Sequence, residues 1–474
     1  MKVSMSLTSS RVDSASELFQ TADTPSNAAQ TSTRPPRGAI AGVWHWLVAL
    51  VDQALVSGTR FLATIIVGRA CGAGELGTYT LAFSLLVLVG CFQEAIVTTP
   101  YAVFGQRLRR RSRATYAGAV ARMHFTAAAG SAVLLLVLAA IGFIFHIRAL
   151  PTIALVLAIT LPCSLAIEFV RRFALAELDV HAAALLDAGV AGIQLVLLFV
   201  LAQLKWLDAR IALLAVGLAY VTPAVLWWSF YGKSRMRRGS STTPYWGRNW
   251  TLGRWLVASQ VMSVIHGFMP AWLLALLVGT SATGEFVAYL NLALLANPLI
   301  FAVGNLLTPR AAHALATGGR QATQQLVLRV LLYFVALMAV FSLGLSLAGS
   351  TIVRFIYGHS FVGSEKIAGL LGLAAIMWSI SATCGSGLVA LGRPRWGFVA
   401  SCSGSIVTLL SITILAPSWT VYGATLGLLM GSTTAASIHA WAFIRVSGGL
   451  RMERFASSTP DFEHRFATQD MTNA

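Results

Sequence analysis

From Ala41 onward, long apolar runs alternate with short polar breaks. About 20 apolar residues, rising ~1.5 Å each, cross a hydrocarbon layer of ~30 Å. Twelve runs meet that length, at 43–67, 78–101, 123–146, 152–171, 183–203, 209–231, 255–278, 286–308, 326–348, 367–391, 397–416 and 421–444. The pattern predicts an all-α polytopic membrane protein with twelve transmembrane helices. Residues 1–39 break it: they are rich in Ser, Thr, Ala and Pro, lack an apolar run, and read as a disordered tail rather than a signal peptide.

The first polar break is the most structured. Val67 to Leu81 reads V-G-R-A-C-G-A-G-E-L-G-T-Y-T-L, with glycines at 68, 72, 74 and 77 interrupting the helical pattern. Arg69 and Glu75 are placed there in water or headgroups, so the stretch is the corner of a helical hairpin. A weaker copy returns at Val278 to Leu292, where Gly74-Glu75 and Tyr79 recur as Gly284-Glu285 and Tyr289. A duplicated corner predicts a duplicated lobe.

Charge adds orientation. Basic residues gather in the breaks after even-numbered spans, among them Arg107, Arg109, Arg110, Arg111, Arg113, Lys233, Arg235, Arg237 and Arg238, and are sparse after odd-numbered ones. Positive charge marks cytoplasmic loops, so both termini are expected in the cytoplasm, and a missed span would have spoiled the alternation. The longest basic break divides the spans six and six. The expected organisation is a cytoplasmic tail at 1–39, an N-lobe at 40–231, a basic linker at 232–251, a C-lobe at 252–446 and a second tail at 447–474. Because six is even, the lobes repeat in parallel about an axis along the membrane normal.

Composition agrees: 57% of the 474 residues are hydrophobic and 11% charged, which does not suit a water-facing surface. The net charge of +17 is spread through the breaks rather than carried by one module, so nucleic acid is not the expected partner. The five cysteines, at 71, 91, 163, 384 and 402, have no disulfide or zinc spacing. No Gly-rich phosphate loop ending in Lys-Ser or Lys-Thr is present, so ATP is not expected to drive the chain directly.

Several segments resemble the polysaccharide flippases of the multidrug/oligosaccharidyl-lipid/polysaccharide (MOP) exporter superfamily, which includes O-antigen and exopolysaccharide translocases. Ile66-Val67-Gly68-Arg69, Gly74-Glu75-Leu76-Gly77 and Tyr79-Thr80-Leu81-Ala82 are similar to that family's opening hairpin. Phe355-Ile356-Tyr357-Gly358 with Phe361, and Leu391-Gly392-Arg393, are further matches. The resemblance covers about residues 40 to 446. It implies two six-helix lobes in a V-shaped transporter that moves a lipid-linked oligosaccharide across a bacterial inner membrane by alternating access. It also implies membrane lipids as surroundings, and the corresponding polysaccharide polymerase as a partner. Cys71 stands where an aliphatic residue is expected, and the second corner lacks the arginine of the first.

Polar groups inside the spans are the candidate functional residues, since a charge at mid-membrane costs at least ~2.5 kcal/mol and faces a bundle interior or water. In the first span, Arg60 is a candidate to attract an anionic pyrophosphate, and Asp52 a candidate proton or cation carrier; both could instead be neutralised by neighbouring helices. Glu94 is expected to face a cavity or pair with the first helix, or else to snorkel toward headgroups. Glu168 and Arg172 are spaced to pair on one helix face, which would leave Arg171 free; both arginines could receive a phosphate. Asp187 is set aside as an acid near a helix start.

In the second half, His266 is a candidate titrating group or a hydrogen-bonded packing residue. Asn291, Pro298 and Asn305 recur every seven residues and are expected on one face, lining a cavity or bonding between helices. Gly423, Gly427 and Gly431 form a close-packing face.

The expectation is a transporter, not an enzyme: a flippase for polyprenyl-pyrophosphate-linked oligosaccharide. It would need no cofactor and would couple to H+ or Na+. A cation-coupled exporter of drugs or metabolites is the competing reading, and a membrane polysaccharide polymerase or ligase a more distant one.

Overall fold

The structure, a computed structural model, describes residues 38–106, 108–146, 150–177, 179–232, 242–358, 361 and 365–448. The chain divides into a short unit, Met1–Trp46, and a large one, Leu47–Ala474, which holds every feature discussed below. The tails expected at 1–39 and 447–474 lie almost wholly outside the described residues, as does the first half of the expected linker.

Among the described residues, ten helical runs are long and apolar enough to cross a membrane. Two are double-length: the run Thr280–Tyr357 breaks at Gly319 (φ 68°) and the run Arg395–Ser447 at Thr420 (φ 49°). Each break separates two spans, which gives the expected twelve and makes the chain a multi-pass membrane protein. They are α1 (Gly38–Cys71), α2 (starting Ala73–Gln93), α3 (Arg110–Ile144), α4 (Leu150–Ala176), α5 (Val180–Gln203), α6 (starting Ala209–Trp227), α7 (Thr243–Leu277), α8 (280–318), α9 (320–357), α10 (Glu365–Ala390), α11 (395–419) and α12 (421–447). α2 continues through one turn of π-helix, Glu94–Thr98, into Thr99–Gly105. Pro100 explains the irregular turn, because its ring nitrogen cannot donate to the carbonyl four residues back.

Helix α7 begins at Thr243, twelve residues before the apolar run that predicted it. Its first turns are amphipathic rather than apolar, and their buried face rests on α2 and α3. Asn249 is fully buried and accepts a 2.7 Å hydrogen bond from the Tyr116 hydroxyl of α3. Residues 243–251, expected as linker, are therefore helix.

Both corners are built as the glycine pattern requires. Gly72 (φ 86°, ψ −179°) precedes α2 and Gly279 (φ 121°, ψ 174°) precedes α8, in a backbone region that is essentially glycine-only. Past these turns, Gly77 of α2 lies against Thr280 and Gly284 of α8, and Gly284 lies against Ala73, so a Cβ on either glycine would overlap the opposing backbone. The structural copies Gly72/Gly279 and Gly77/Gly284 are 207 residues apart, not the 210 suggested by matching Gly74-Glu75 to Gly284-Glu285. Three residues are nearly one helical turn, so both registers put a glycine on a similar face. Only the backbone contact selects between them.

The charged residues of the first corner cap other helices. The Arg69 guanidinium donates to the carbonyls of Phe355 (2.9 Å) and Ile356 (3.3 Å) at the end of α9, and a Glu75 carboxylate oxygen accepts from the Ala209 amide (2.8 Å) at the start of α6. Each matches the sign of the helix end it meets. Gly68 lets the Tyr357 ring approach, and the Tyr357 hydroxyl joins Thr64 and Asn291. Two of the segments that carry the family resemblance thus touch one another.

Candidate functional site

A cavity of about 300 Å³ opens among α1, α2, α4, α5 and α6 and is lined by charged residues. Three arginines and three carboxylates line it: Arg60 from α1, Glu94 from α2, Glu168, Arg171 and Arg172 from α4, and Asp187 from α5. The cavity therefore lies within the first six helices, and its formal charges balance.

Helix α4 supplies three of the six because positions 168, 171 and 172 share one helical face. Arg171 is not free: its Nε lies 2.6 Å from Asp187, and both side chains are largely buried. Asp187 is thus a wall of the site, not an incidental acid near a helix start. Arg172 pairs with Glu94 at 2.6 Å and more loosely with Glu168 at 3.5 Å. The partner of Glu94 is α4 rather than α1, and the Gln260 side chain of α7 lies near it. Isolated charges at this depth would be costly, and pairing removes most of that cost.

Arg60 differs. It is exposed to the cavity, its guanidinium stands 5.7 Å from the centre of the Phe83 ring, and no described carboxylate lies within ion-pair distance. A ring face attracts a cation weakly and leaves its N–H donors available. Among the described residues it is the one cavity arginine without an acidic partner.

The cavity wall toward α3 is neutral and rigid. Gln93 donates to the Leu165 carbonyl (2.8 Å) and is joined to His124 Nδ1 (2.8 Å), whose ring stacks on Phe169. Beyond Gln93 lies a smaller apolar groove bounded by α2, α3 and Trp246 of α7.

The remaining candidates lie elsewhere. Asp52 is in α1, with its side chain outside the described residues. His266 bonds to Ser405 Oγ at 2.7 Å, tying α7 to α11. Asn291 donates to Thr64 (3.0 Å) and Tyr357 (3.3 Å) near the first corner, and Asn305 is exposed; neither lines the cavity. A turn of 3-10 helix at Leu294–Ala296 lies between them. Gln260 was missed, though a glutamine inside an otherwise apolar span is itself a signal. No group of three or more potential metal ligands occurs among the described residues.

No protein-family model and no curated protein matches the sequence. Solved structures do match over most of the chain. An inward-facing MATE multidrug transporter of the MOP superfamily aligns with a TM-score of 0.69 at 12% identity, covering 85% of this chain and 96% of that one. The lipid II flippase MurJ, in an inward closed conformation, aligns at 0.64 and 12% identity, covering 90% and 96%. The eukaryotic MATE transporter AtDTX14 aligns at 0.54 and 16% identity, covering 86% and 98%. The chain has the two-lobe, twelve-helix fold of the MOP-superfamily transporters.

Proposed function

We propose that this protein is a flippase that moves a polyprenyl-pyrophosphate-linked oligosaccharide across the bacterial inner membrane by alternating access. The observation that carries the reading is Arg60, a cation inside a membrane span that faces a cavity without an acidic partner among the described residues. Such a group is expensive unless something anionic shares the site. A pyrophosphate oxygen would accept charge-assisted hydrogen bonds from it while the prenyl chain stays in lipid. Arg171 and Arg172 would join by exchanging their carboxylates for phosphate, and the three carboxylates would accept bonds from sugar hydroxyls.

The closely packed glycine corners would lie toward the outside of the cell, which would suit loading from the cytoplasm. Both termini would be cytoplasmic, with a polysaccharide polymerase receiving the product. Coupling would use H+ or Na+ at acidic or titrating groups, with Glu94, Asp52 and His266 as the candidates. Asn291 and Asn305 would act in the second lobe, during passage rather than initial binding.

A cation-coupled multidrug or metabolite exporter is the second reading, favoured by the three carboxylates that line the same cavity. Purified protein in vesicles carrying a fluorescent polyprenyl-pyrophosphate sugar in one leaflet separates the two. The parent chain should expose the label in the opposite leaflet, and Arg60→Glu should slow this at least tenfold, since one hydrogen bond to an anion is worth about 1.5–3 kcal/mol. Normal transport by Arg60→Glu would end the assignment of Arg60 to the pyrophosphate, and failure of the parent chain to expose the label would end the flippase reading. Failure to move the lipid, together with pH-driven efflux of an organic cation, would establish the second reading.

A further inference from the structure

The apolar groove on the far side of Gln93 measures about 280 Å³. Helix α2 gives it Val89, Phe92 and Ile96, α3 gives Met123 and Thr126, and α7 gives Trp246. Its α2 wall runs from Val89 to Val97, about 12 Å along the axis at ~1.5 Å per residue, and includes the π-turn. Phe92 and Thr126 are exposed, so the groove opens toward lipid. An apolar slot of that length takes a hydrocarbon chain.

Two routes lead a chain there, one with its head group in the charged cavity and one with its head group at the membrane surface. The first is walled off. Gln93 lines both spaces and is 4% exposed; its amide donates to the Leu165 carbonyl (2.8 Å) and its oxygen accepts from His124 Nδ1 (2.8 Å). His124 is buried in turn and stacked on Phe169. Opening this wall would strand two buried polar groups.

The second route has a cation at its entrance. Arg122 stands one helical turn before Thr126 on α3, at the residue that precedes the apolar run 123–146 and about 18 Å along the helix from Arg110. That is the edge of the hydrocarbon. Arg122 is exposed and has no hydrogen-bond or ion-pair partner among the described residues. Other arginines at this end of the bundle are engaged: Arg113 pairs with Glu177 at 2.9 Å, and Arg248 lies 3.8 Å over the Phe104 ring. Trp246 and Trp250 stack on each other and are half exposed, as aromatic side chains are at a membrane–water boundary.

We propose that the groove holds one acyl chain of an anionic phospholipid whose phosphate is bound by Arg122. The guanidinium donates charge-assisted hydrogen bonds to the phosphate oxygens, and the chain passes Thr126 to lie among Phe92, Ile96, Met123 and Trp246. A zwitterionic lipid is disfavoured, because its own ammonium competes for the phosphate and is repelled by Arg122. Since α2 and α3 belong to the first half of the chain and α7 to the second, the bound lipid ties the start of α7 to the first half.

The test is photolabelling of the purified full chain in phosphatidylcholine bilayers carrying a small share of phosphatidylglycerol with a photoreactive group in one acyl chain. Mass spectrometry of the peptides should place adducts in 89–97 and 123–127, and plain phosphatidylglycerol should displace them. Arg122→Gln, a change at an exposed position, should lower labelling of the groove about tenfold, the worth of one hydrogen bond to a charged group, while Arg122→Lys should retain most of it. Adducts spread evenly over the lipid-facing helices, equal labelling by photoreactive phosphatidylcholine, or labelling unchanged in Arg122→Gln would mean ordinary lipid contact and overturn the proposal. Displacement by a polyprenyl phosphate at lower concentration than by phosphatidylglycerol would also overturn it, by giving the groove to another kind of lipid. None of these readouts uses transport or alters a residue lining the charged cavity, so this site and the flippase reading fail separately.

Discussion

The two halves of this chain share a corner and a fold, yet the charged cavity of the first and the glycine contacts of the second fill space differently. In the first half, Gly90 on the cavity wall has open space where a side chain would begin, and charged residues line the gap between helices. In the second half, Gly349 meets Ala368, Gly372 meets Ser342, Gly404 meets Gly431 and Gly427 meets Ile412. Close approach there is set by small residues, and the helices touch backbone to backbone. Where arginines and glutamates stand on the inner face instead, helices must stand apart, and the exposed polar groups then need pairing or solvent. The difference shows how charged and small residues on inner faces set the spacing of helices without changing topology.

The largest break in that contrast should come from Gly431→Leu. Its side chain would run into Thr408 and the Gly404 carbonyl, both backed by helix, so overpacking should cost at least ~3 kcal/mol. Loss of folded protein in a detergent size-exclusion and melting assay would show it. Gly90→Leu is the counterpart in the first half: it should leave the melting temperature nearly unchanged while narrowing the cavity and slowing transport, and a large loss of stability would refute the idea that this helix faces open space.

Asp187→Asn should come next. It strands Arg171 in a largely buried position, which for a buried pair costs about 3–5 kcal/mol when one partner is removed. Adding Arg171→Gln should recover much of that loss, and a double-mutant cycle on thermal stability would measure it. The smallest effect should be that of Glu168→Gln, whose ion pair is long and more than a third exposed; about 0.5 kcal/mol or less is expected, and a larger change would mean that Glu168 holds Arg172 as firmly as Glu94 does.

Much of the fold was legible in the sequence, and little of the site. The twelve spans followed from apolar length, and the corner glycines from their spacing. The face Gly423, Gly427 and Gly431 packs against Leu415, Ile412 and Thr408, as a small-residue repeat requires. The start of α7 was misplaced because hydropathy cannot see an amphipathic turn buried against other helices. Asn291 bonds to Thr64 and Tyr357 on neighbouring helices, partners that no spacing along its own helix names.

Apolar run length is a local property: each span carries its own transfer free energy into lipid, so the primary structure alone determined twelve helices, two related halves and a hairpin corner. Which charges pair is not local. Arg171 finds Asp187 on the next helix, Arg172 finds Glu94 rather than only its i,i+4 neighbour, and Arg60 finds no described carboxylate because of how α1, α2, α4 and α5 are rotated and spaced. Those rotations are set by the summed contacts of whole helices, and that sum exists only in the assembled bundle.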